Sequence, residues 1–427
     1  MKSRVIGFAG MSHLGINSAV AAAARGFDVL AFDYNQSLVQ EISQGRFPIY
    51  EVGLSELAKE NASRLSYTSD LAELSDVDLC YVSLDVLTDD AGRSDLGPIR
   101  FLIDELDMTL RADTVMVVLS QVPPGFSRLL NRRGELLFYQ VETLVFGQAV
   151  ERALNPERFI VGCDNPDVPL PEIYETFLNG LNCPVLRMRY ESAELAKIAI
   201  NIFLVSSISA SNSLAEICEK VGADWSEIVP ALRLDRRIGR HAYLTPGLGI
   251  GGGNLERDLA TVRELADCHK TDAGVVEAWI ANSAHRRDWV KLKLQGTILK
   301  SEPAATLAVL GLAYKQDTAS TKNSPALSLL AALPACQVTV YDPMVRADPA
   351  WHPNLSVAAD PIAACLGADA LVVMTPWSEF SDLSVKEIAD AMSGLLVIDP
   401  YGILDGSACA SYQLDYHRLG EGAPPAR

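Results

Sequence analysis

Val5-Ile6-Gly7-Phe8-Ala9-Gly10-Met11-Ser12-His13-Leu14-Gly15 is the stretch on which the fold turns. Residues 4–9 form an apolar run that reads as a buried strand. The Ala-rich residues 14–25 read as a helix, and residues 28–33 as a second strand. Between the first strand and the helix, Gly10 to Gly15 is a form of G-x-G-x-x-G with Ser12 at the second glycine. The first glycine permits a tight turn, the second lets backbone approach a pyrophosphate, and the third allows close helix–strand packing. The helix N-terminus adds amides and a positive dipole end. Serine is small, and its hydroxyl can itself donate to phosphate. Asp33 closes the second strand at about the 20-residue spacing expected of a ribose-binding carboxylate, which accepts from the hydroxyls and repels a 2′-phosphate. These features point to NAD rather than NADP, held by Gly10, Ser12, His13, Leu14, Gly15 and Asp33. His13 reads as a loop residue packing near the cofactor, not as a base. The motif alone also suits a strand–helix turn with no ligand.

Outward from this loop, β-branched runs at 78–84, 114–120 and 158–162 alternate with helical segments, the pattern of a doubly wound parallel sheet. From Glu191 to Val221 no Gly or Pro interrupts a single long helix, which needs a partner to cover it. A second helical stretch covers about 255–295. Ser301-Glu302-Pro303 marks a linker, and strand patterns then recur at 305–310, 337–341, 369–374 and 395–399. The two α/β ends read as loosely similar units. The polar tail from Gly420 is expected to fray.

The chain has 427 residues, enough for two or three domains with proper cores, and a net charge of −18 with no basic run. That argues against general nucleic-acid and anionic-membrane binding, though not against one anionic small ligand. The eight cysteines are scattered without C-x-x-C. They read as buried, reduced thiols of a cytoplasmic protein, with no zinc or other metal site. No signal segment precedes the first strand, and the apolar stretches are interrupted before the ~20 residues of a membrane span.

Ordered matches along nearly the whole chain resemble the UDP-glucose/GDP-mannose dehydrogenase family. Phe47 to Leu54 is similar to its P-x-x-E-P-G-L segment, Thr88 to Leu96 to T-x-x-x-G-x-x-D-L, and Ser120-Gln121-Val122-Pro123-Pro124-Gly125 to S-T-V-P-P-G. Lys197 and Asn201 match a K-x-x-x-N pair, and Arg237-Ile238-Gly239 matches R-I-G. Gly311 to Lys315, Ser324-Pro325 and Thr375 to Phe380 resemble the nucleotide-binding domain. Residues 245–258 resemble the active-site loop G-x-G-x-G-G-x-C-x-P-K-D, with Asn254 at the cysteine and Arg257 at the lysine. In Val141-Glu142-Thr143-Leu144-Val145-Phe146, similar to P-E-F-L-R-E, Glu142 survives while the arginine and second glutamate do not. Lys322 replaces the arginine of D-x-R-x-S-P, and Asp399-Pro400-Tyr401-Gly402 replaces D-G-R-N.

The resemblance implies two Rossmann-like doubly wound parallel-sheet α/β domains joined by a long central helix. It assigns 1–190 to NAD, 191–300 to a central helical dimerisation domain carrying the active-site loop, and 301–427 to the nucleotide sugar. A homodimer through the central helix follows, with cofactor and substrate meeting in a cleft between the sheet domains. Lys197 and Asn201, four apart, share a helix face, so an ammonium and a carboxamide converge on one hydroxyl. Lys197 is the candidate base or oxyanion stabiliser, and as a base it would need burial to lower its pKa. Asp258 would hold Lys197 or a water, and Glu142 would bind substrate or orient that water. Asn254, Gly251, Gly252, Arg237, Tyr243 and Lys315 are the substrate contacts, with Ser120 and Lys322 added to the cofactor set.

The family's cysteine holds the sugar covalently during a second oxidation, and a carboxamide cannot form that adduct. The expected outcome is one two-electron oxidation to aldehyde or ketone, or an aldehyde-hydrate route using water. The alternatives are a catalytically decayed nucleotide-sugar-binding paralogue, a four-electron oxidation without cysteine, or a single-oxidation enzyme of the hydroxyacid/6-phosphogluconate type. The C-terminal α/β domain speaks against the last. Cys268, in the helical stretch beyond Asp258, is not expected to substitute.

Overall fold

The computed structural model describes residues 4–89 and 92–422. Asp90 and Ala91, inside the Thr88–Leu96 match, lie outside the described residues, as does the tail beyond Gly422. The chain divides into two compact units, Met1–Ile200 and Asn201–Arg427.

The first unit is built on strands β1 (Val5–Ala9), β2 (Asp28–Phe32), β3 (Leu65–Thr68), β4 (Leu79–Val82), the short hairpin β5 (Leu87–Thr88) and β6 (Ser94–Asp95), then β7 (Val115–Val118), β8 (Leu137–Gln140), β9 (Phe159–Cys163) and β10 (Val185–Arg189). Its sheet runs β3-β2-β1-β4-β7-β8-β9-β10. The first six strands in that order reproduce a dinucleotide-binding sheet. The sheet departs from the all-parallel expectation at one seam, where β8 and β9 are antiparallel. The connection between them carries the short helix Ala149–Leu154, which packs against helix His13–Ala24 before the chain returns antiparallel. The apolar strands are covered on both faces by two hydrophobic clusters, one around Ile6, Phe8 and Tyr81 and the other around Val82, Met116 and Tyr139.

The second unit carries β11 (Thr306–Leu310), β12 (Gln337–Tyr341), β13 (Leu355–Val357), β14 (Ala370–Val373), β15 (Leu396–Ile398) and β16 (Asp415–His417). The order β13-β12-β11-β14-β15-β16 is parallel throughout. It repeats the first unit's arrangement of strands around its first strand. The likeness extends to detail. The Met11 N–H donates to Asp33 Oδ2 (2.8 Å), and the Leu312 N–H to Asp342 Oδ2 (2.7 Å), so in each unit an acid ending the second strand ties down the loop after the first.

The long helix is Tyr190–Val221, and it ends at Gly222, whose φ of 76° only glycine adopts without strain. One window in it has mean hydropathy 1.5 and is 39% buried, so by length and composition it could cross a membrane. Glu194, Lys197, Asn201 and several serines interrupt its apolar run, and the core helix of a globular protein meets the same two criteria. Two of the long helix's buried polar side chains are satisfied by backbone. Asn212 Oδ1 accepts from Gly247 N (2.8 Å), and Ser211 Oγ donates to Tyr243 O (3.3 Å).

The 255–295 stretch is not one helix. It breaks into Asn254–His269, Gly274–Arg287, Trp289–Gly296 and Ile298–Ser301. The first break falls at Lys270, which adopts φ 58° at the helix end. The first residues of the tail, 420–422, are tied down. Trp225 N donates to Gly420 O (2.9 Å), Gly420 N to Glu219 Oε1 (3.1 Å) and Gly422 N to Ala223 O (2.9 Å), pinning the chain through Gly422. All eight cysteines are free, but Cys268 is exposed and Cys183 half-buried, so burial holds for six of them.

Candidate active site

The loop after β1 is shaped by close approach. Gly10 has φ 101°, and a Cβ at Gly15 would stand 1.8 Å from Gly10 O, so neither position admits a side chain. Ser83, at the end of β4, locks the turn by donating to Gly10 O (2.9 Å). Ser12 Oγ donates to Ser83 O (2.8 Å). The hydroxyl proton expected to meet a phosphate is therefore spent on the scaffold. Leu14 offers only its backbone, since its side chain lies in the core. Asp33 Oδ1 accepts from Asn35 N (2.9 Å), and each carboxylate oxygen keeps a lone pair for a ribose hydroxyl. Ser120 is buried, with Oγ donating to Val82 O (3.3 Å). The glycine turn, the amides at the start of helix His13–Ala24 and the placement of Asp33 fit a dinucleotide.

His13 is more constrained than a loop residue. Its Nε2 lies 2.7 Å from Glu51 Oε1, and its ring sits 4.1 Å from that of Phe146. Glu51 is buried and also accepts from Gly147 N (3.0 Å) and Ala149 N (3.1 Å). Desolvation pushes the Glu51 carboxyl up, but these hydrogen bonds outweigh it and leave the group below its ordinary value. Sequence reasoning gave Glu51 no role. Its signal was the glutamate of the 47–54 segment; Phe146, whose ring lies against His13, stands where the resemblance has a second glutamate.

Lys197 projects from the long helix and is mostly buried. Its Nζ lies 3.7 Å from Glu142 Oε2, at the end of β8. Burial raises the Glu142 carboxyl, opposed chiefly by the Lys197 charge. Glu194, three residues before Lys197, is fully buried and accepts from Gly125 N (2.6 Å) and Ser127 N (2.8 Å). It anchors the Pro-Pro-Gly turn to the helix, a role that sequence spacing did not reveal.

In the second unit Asn201 Nδ2 donates to Asp258 Oδ2 (2.5 Å), and both residues are buried. Arg257 Nε approaches Asp258 Oδ1 at 3.5 Å. Asp258 therefore holds Asn201 by direct contact. Asn254 opens helix Asn254–His269 one turn before Asp258 with an exposed side chain. The glycine loop before it is held against residues 314–323. Gly252 N donates to Lys322 O (3.0 Å), and Asn323 Nδ2 donates to Gly252 O (3.0 Å) and to Glu256. A Cβ on Gly252 would stand 2.7 Å from the Tyr314 ring, and φ there is 80°. Gly251 faces the same ring. This loop is built for close backbone approach and is no loose connection. Lys322 lies near enough to lower the Glu256 pKa, which burial raises. Lys315 Nζ stands 6.0 Å over the Tyr314 ring. Arg237 and Tyr243 are exposed, and Arg237 closes its fork on Asp235 (2.6 Å).

Family models match the chain in three blocks. Residues 4–178 match the NAD binding domain, 191–284 the central domain and 308–406 the UDP binding domain of the UDP-glucose/GDP-mannose dehydrogenase family. The chain is 30% identical to a UDP-glucose 6-dehydrogenase of Rhizobium meliloti, over 96% of this chain and 98% of that one. It is 28% identical to a UDP-glucose 6-dehydrogenase of Rickettsia typhi, over 97% and 99%. A solved UDP-glucose dehydrogenase from Pyrobaculum islandicum shares the fold at TM-score 0.86 and 24% identity, covering 99% of this chain and 98% of that one. The chain belongs to the UDP-glucose/GDP-mannose dehydrogenase family.

Proposed function

We propose that this NAD-dependent nucleotide-sugar dehydrogenase takes one hydride from a sugar CH–OH and stops at the aldehyde or ketone. The observation that carries the reading is Asn254 at the head of the helix bearing Asp258, where the family resemblance calls for cysteine. NAD, bound over the Gly10–Gly15 loop and Asp33, supplies the hydride acceptor. Lys197, one helical turn from Asn201, takes up or shields the hydroxyl proton and stabilises the developing alkoxide. Glu142 holds the ammonium and orients substrate or a water. Asn201 hydrogen-bonds the reacting oxygen in an orientation set by Asp258. Asn254, having no thiol, binds the sugar and leaves the carbonyl product free.

The division of labour follows: 1–190 for NAD, 191–300 for the catalytic loop and pairing of protomers, and 301–427 for the nucleotide sugar, with Lys315 and Arg237 on its phosphates. A homodimer is supported by the exposed stripe Phe203, Leu214, Ile217 and Val221 along the long helix.

The test is incubation with NAD and a panel of UDP- and GDP-sugars. One NADH per sugar is expected. Two equivalents would require a cysteine-independent second oxidation. Tight sugar-nucleotide binding without turnover would mark a decayed, binding-only protein.

A further inference from the structure

A second feature of the first unit lies away from the cofactor loop. A cavity of about 70 Å³ opens between helix His13–Ala24 and the sheet, lined by Ser18, Arg25, Gln140, Arg152 and Arg158 among apolar neighbours. That volume exceeds the ~15 Å³ needed for one water. None of Gly10–Gly15 or Asp33 lines it.

Its polar lining consists almost wholly of donors. Arg25 lies against Phe177, with its guanidinium carbon 4.4 Å from the ring centroid, and gives one N–H to Phe177 O. Its Nε is buried without a hydrogen-bond partner, and among the described residues no carboxylate pairs with it. Burial pulls the guanidinium below its ordinary pKa. A half-buried cation without a carboxylate partner is costly, and the more unexpected in a chain of net charge −18. Gln140 Oε1 already accepts from Tyr81 (3.1 Å) and Tyr174 (2.9 Å), leaving its amide N–H groups as donors. Arg158 pairs with Glu157 (2.8 Å), and Arg152, 3.8 Å from the same glutamate, gives its Nε to Thr143 O (2.7 Å). The carboxylate among the lining residues, Glu142, is matched by Lys197.

We propose that this cavity binds a small oxyanion of the phosphate class, with Arg25 as its central ligand and Arg152, Arg158, Gln140 and Ser18 completing the donor set. An anion there sits one hydrogen bond, through Arg152, from the Thr143 carbonyl beside Glu142.

The experiment is a melting curve of the full chain against inorganic phosphate, with NAD and UDP saturating so that their phosphate sites are filled. A saturable rise in Tm is expected for the wild type, reduced in Arg158→Gln and lost in Arg25→Met. The proposal falls if the wild-type rise is absent, or grows without saturating as it would for any excluded salt. It falls equally if Arg25→Met responds as the wild type does. Should Arg25→Met fail to fold, Arg158→Gln decides: a weakened response supports the site and an unchanged one removes it.

Discussion

Cutting the Asn201–Asp258 pair should cost the second unit several kcal/mol. Asp258 is 1% exposed and Asn201 8%, and the hydrogen bond between them is 2.5 Å long. A charge-assisted bond of this kind contributes about 1.5–3 kcal/mol, and leaving the Asn201 N–H buried without an acceptor adds about 1–3 kcal/mol. Asp258→Ala, which also deprives Arg257 of its neighbour at 3.5 Å, should therefore destabilise by about 3–5 kcal/mol. Asn201→Ala should cost less, because the carboxylate keeps Arg257 nearby. The double variant should show a coupling of about 1.5–3 kcal/mol. Tryptophan fluorescence isolates the measurement, since Trp225, Trp279, Trp289, Trp351 and Trp377 all lie in the second unit. With a urea m-value of about 1–3 kcal/mol/M, Asp258→Ala should lower that midpoint by about 1 M or more. A coupling below about 0.5 kcal/mol would show that Asp258 does not hold Asn201, and the positioning role given to it would go.

Lys197→Ala should lower kcat by about 10²–10⁴-fold with NAD affinity nearly unchanged, as stopped-flow turnover and NAD titration would show; an unaltered rate takes Lys197 out of the chemistry. Gly252→Ala forces a Cβ to 2.7 Å from the Tyr314 ring at φ 80°, and should cost about 1–3 kcal/mol by urea unfolding, with part of the loss recovered in Tyr314→Ala. Glu51 has a lowered pKa, so its carboxylate stabilises the fold fully above the ordinary value of about 4.3 and loses that contribution as pH falls through the lowered one. Glu51→Gln should therefore cost about 1–3 kcal/mol at neutral pH, with the gap to wild type closing in acid; calorimetric melts showing a constant gap would contradict this.

Much of the architecture was legible because it is local. Every strand expected in the sequence is present, and the ones not foreseen are short or peripheral: β3, β5, β6, β8, β10, β13 and β16. Leu137–Gln140 is only four residues long, and nothing in so short a run separates a buried strand from a turn of helix. The antiparallel seam beside it was equally invisible, since strand direction is set by connections and neighbours. At the site, the glycine loops and the Lys197/Asn201 spacing could be read directly. The part played by Ser12 could not, because its hydroxyl is claimed by Ser83, which only the strand order brings near.

By itself, the order of residues determined two strand–helix alternations, a glycine turn followed by an acid after a second strand, and a carboxamide at the place of a thiol. Each follows from short-range physics: hydrophobic periodicity, backbone freedom at glycine and the reactivity of a single side chain. Tertiary structure decided which charges meet. Glu142 reaches Lys197, Glu51 takes His13, and Asp258 binds Asn201 across 57 residues of chain, while among the described residues no carboxylate pairs with Arg25. The one carboxylate among the described residues lining the Arg25 cavity is Glu142, and it is the one that Lys197 holds. Such pairings depend on which elements pack side by side and on the energy of burying a charge, and neither is written in any local stretch.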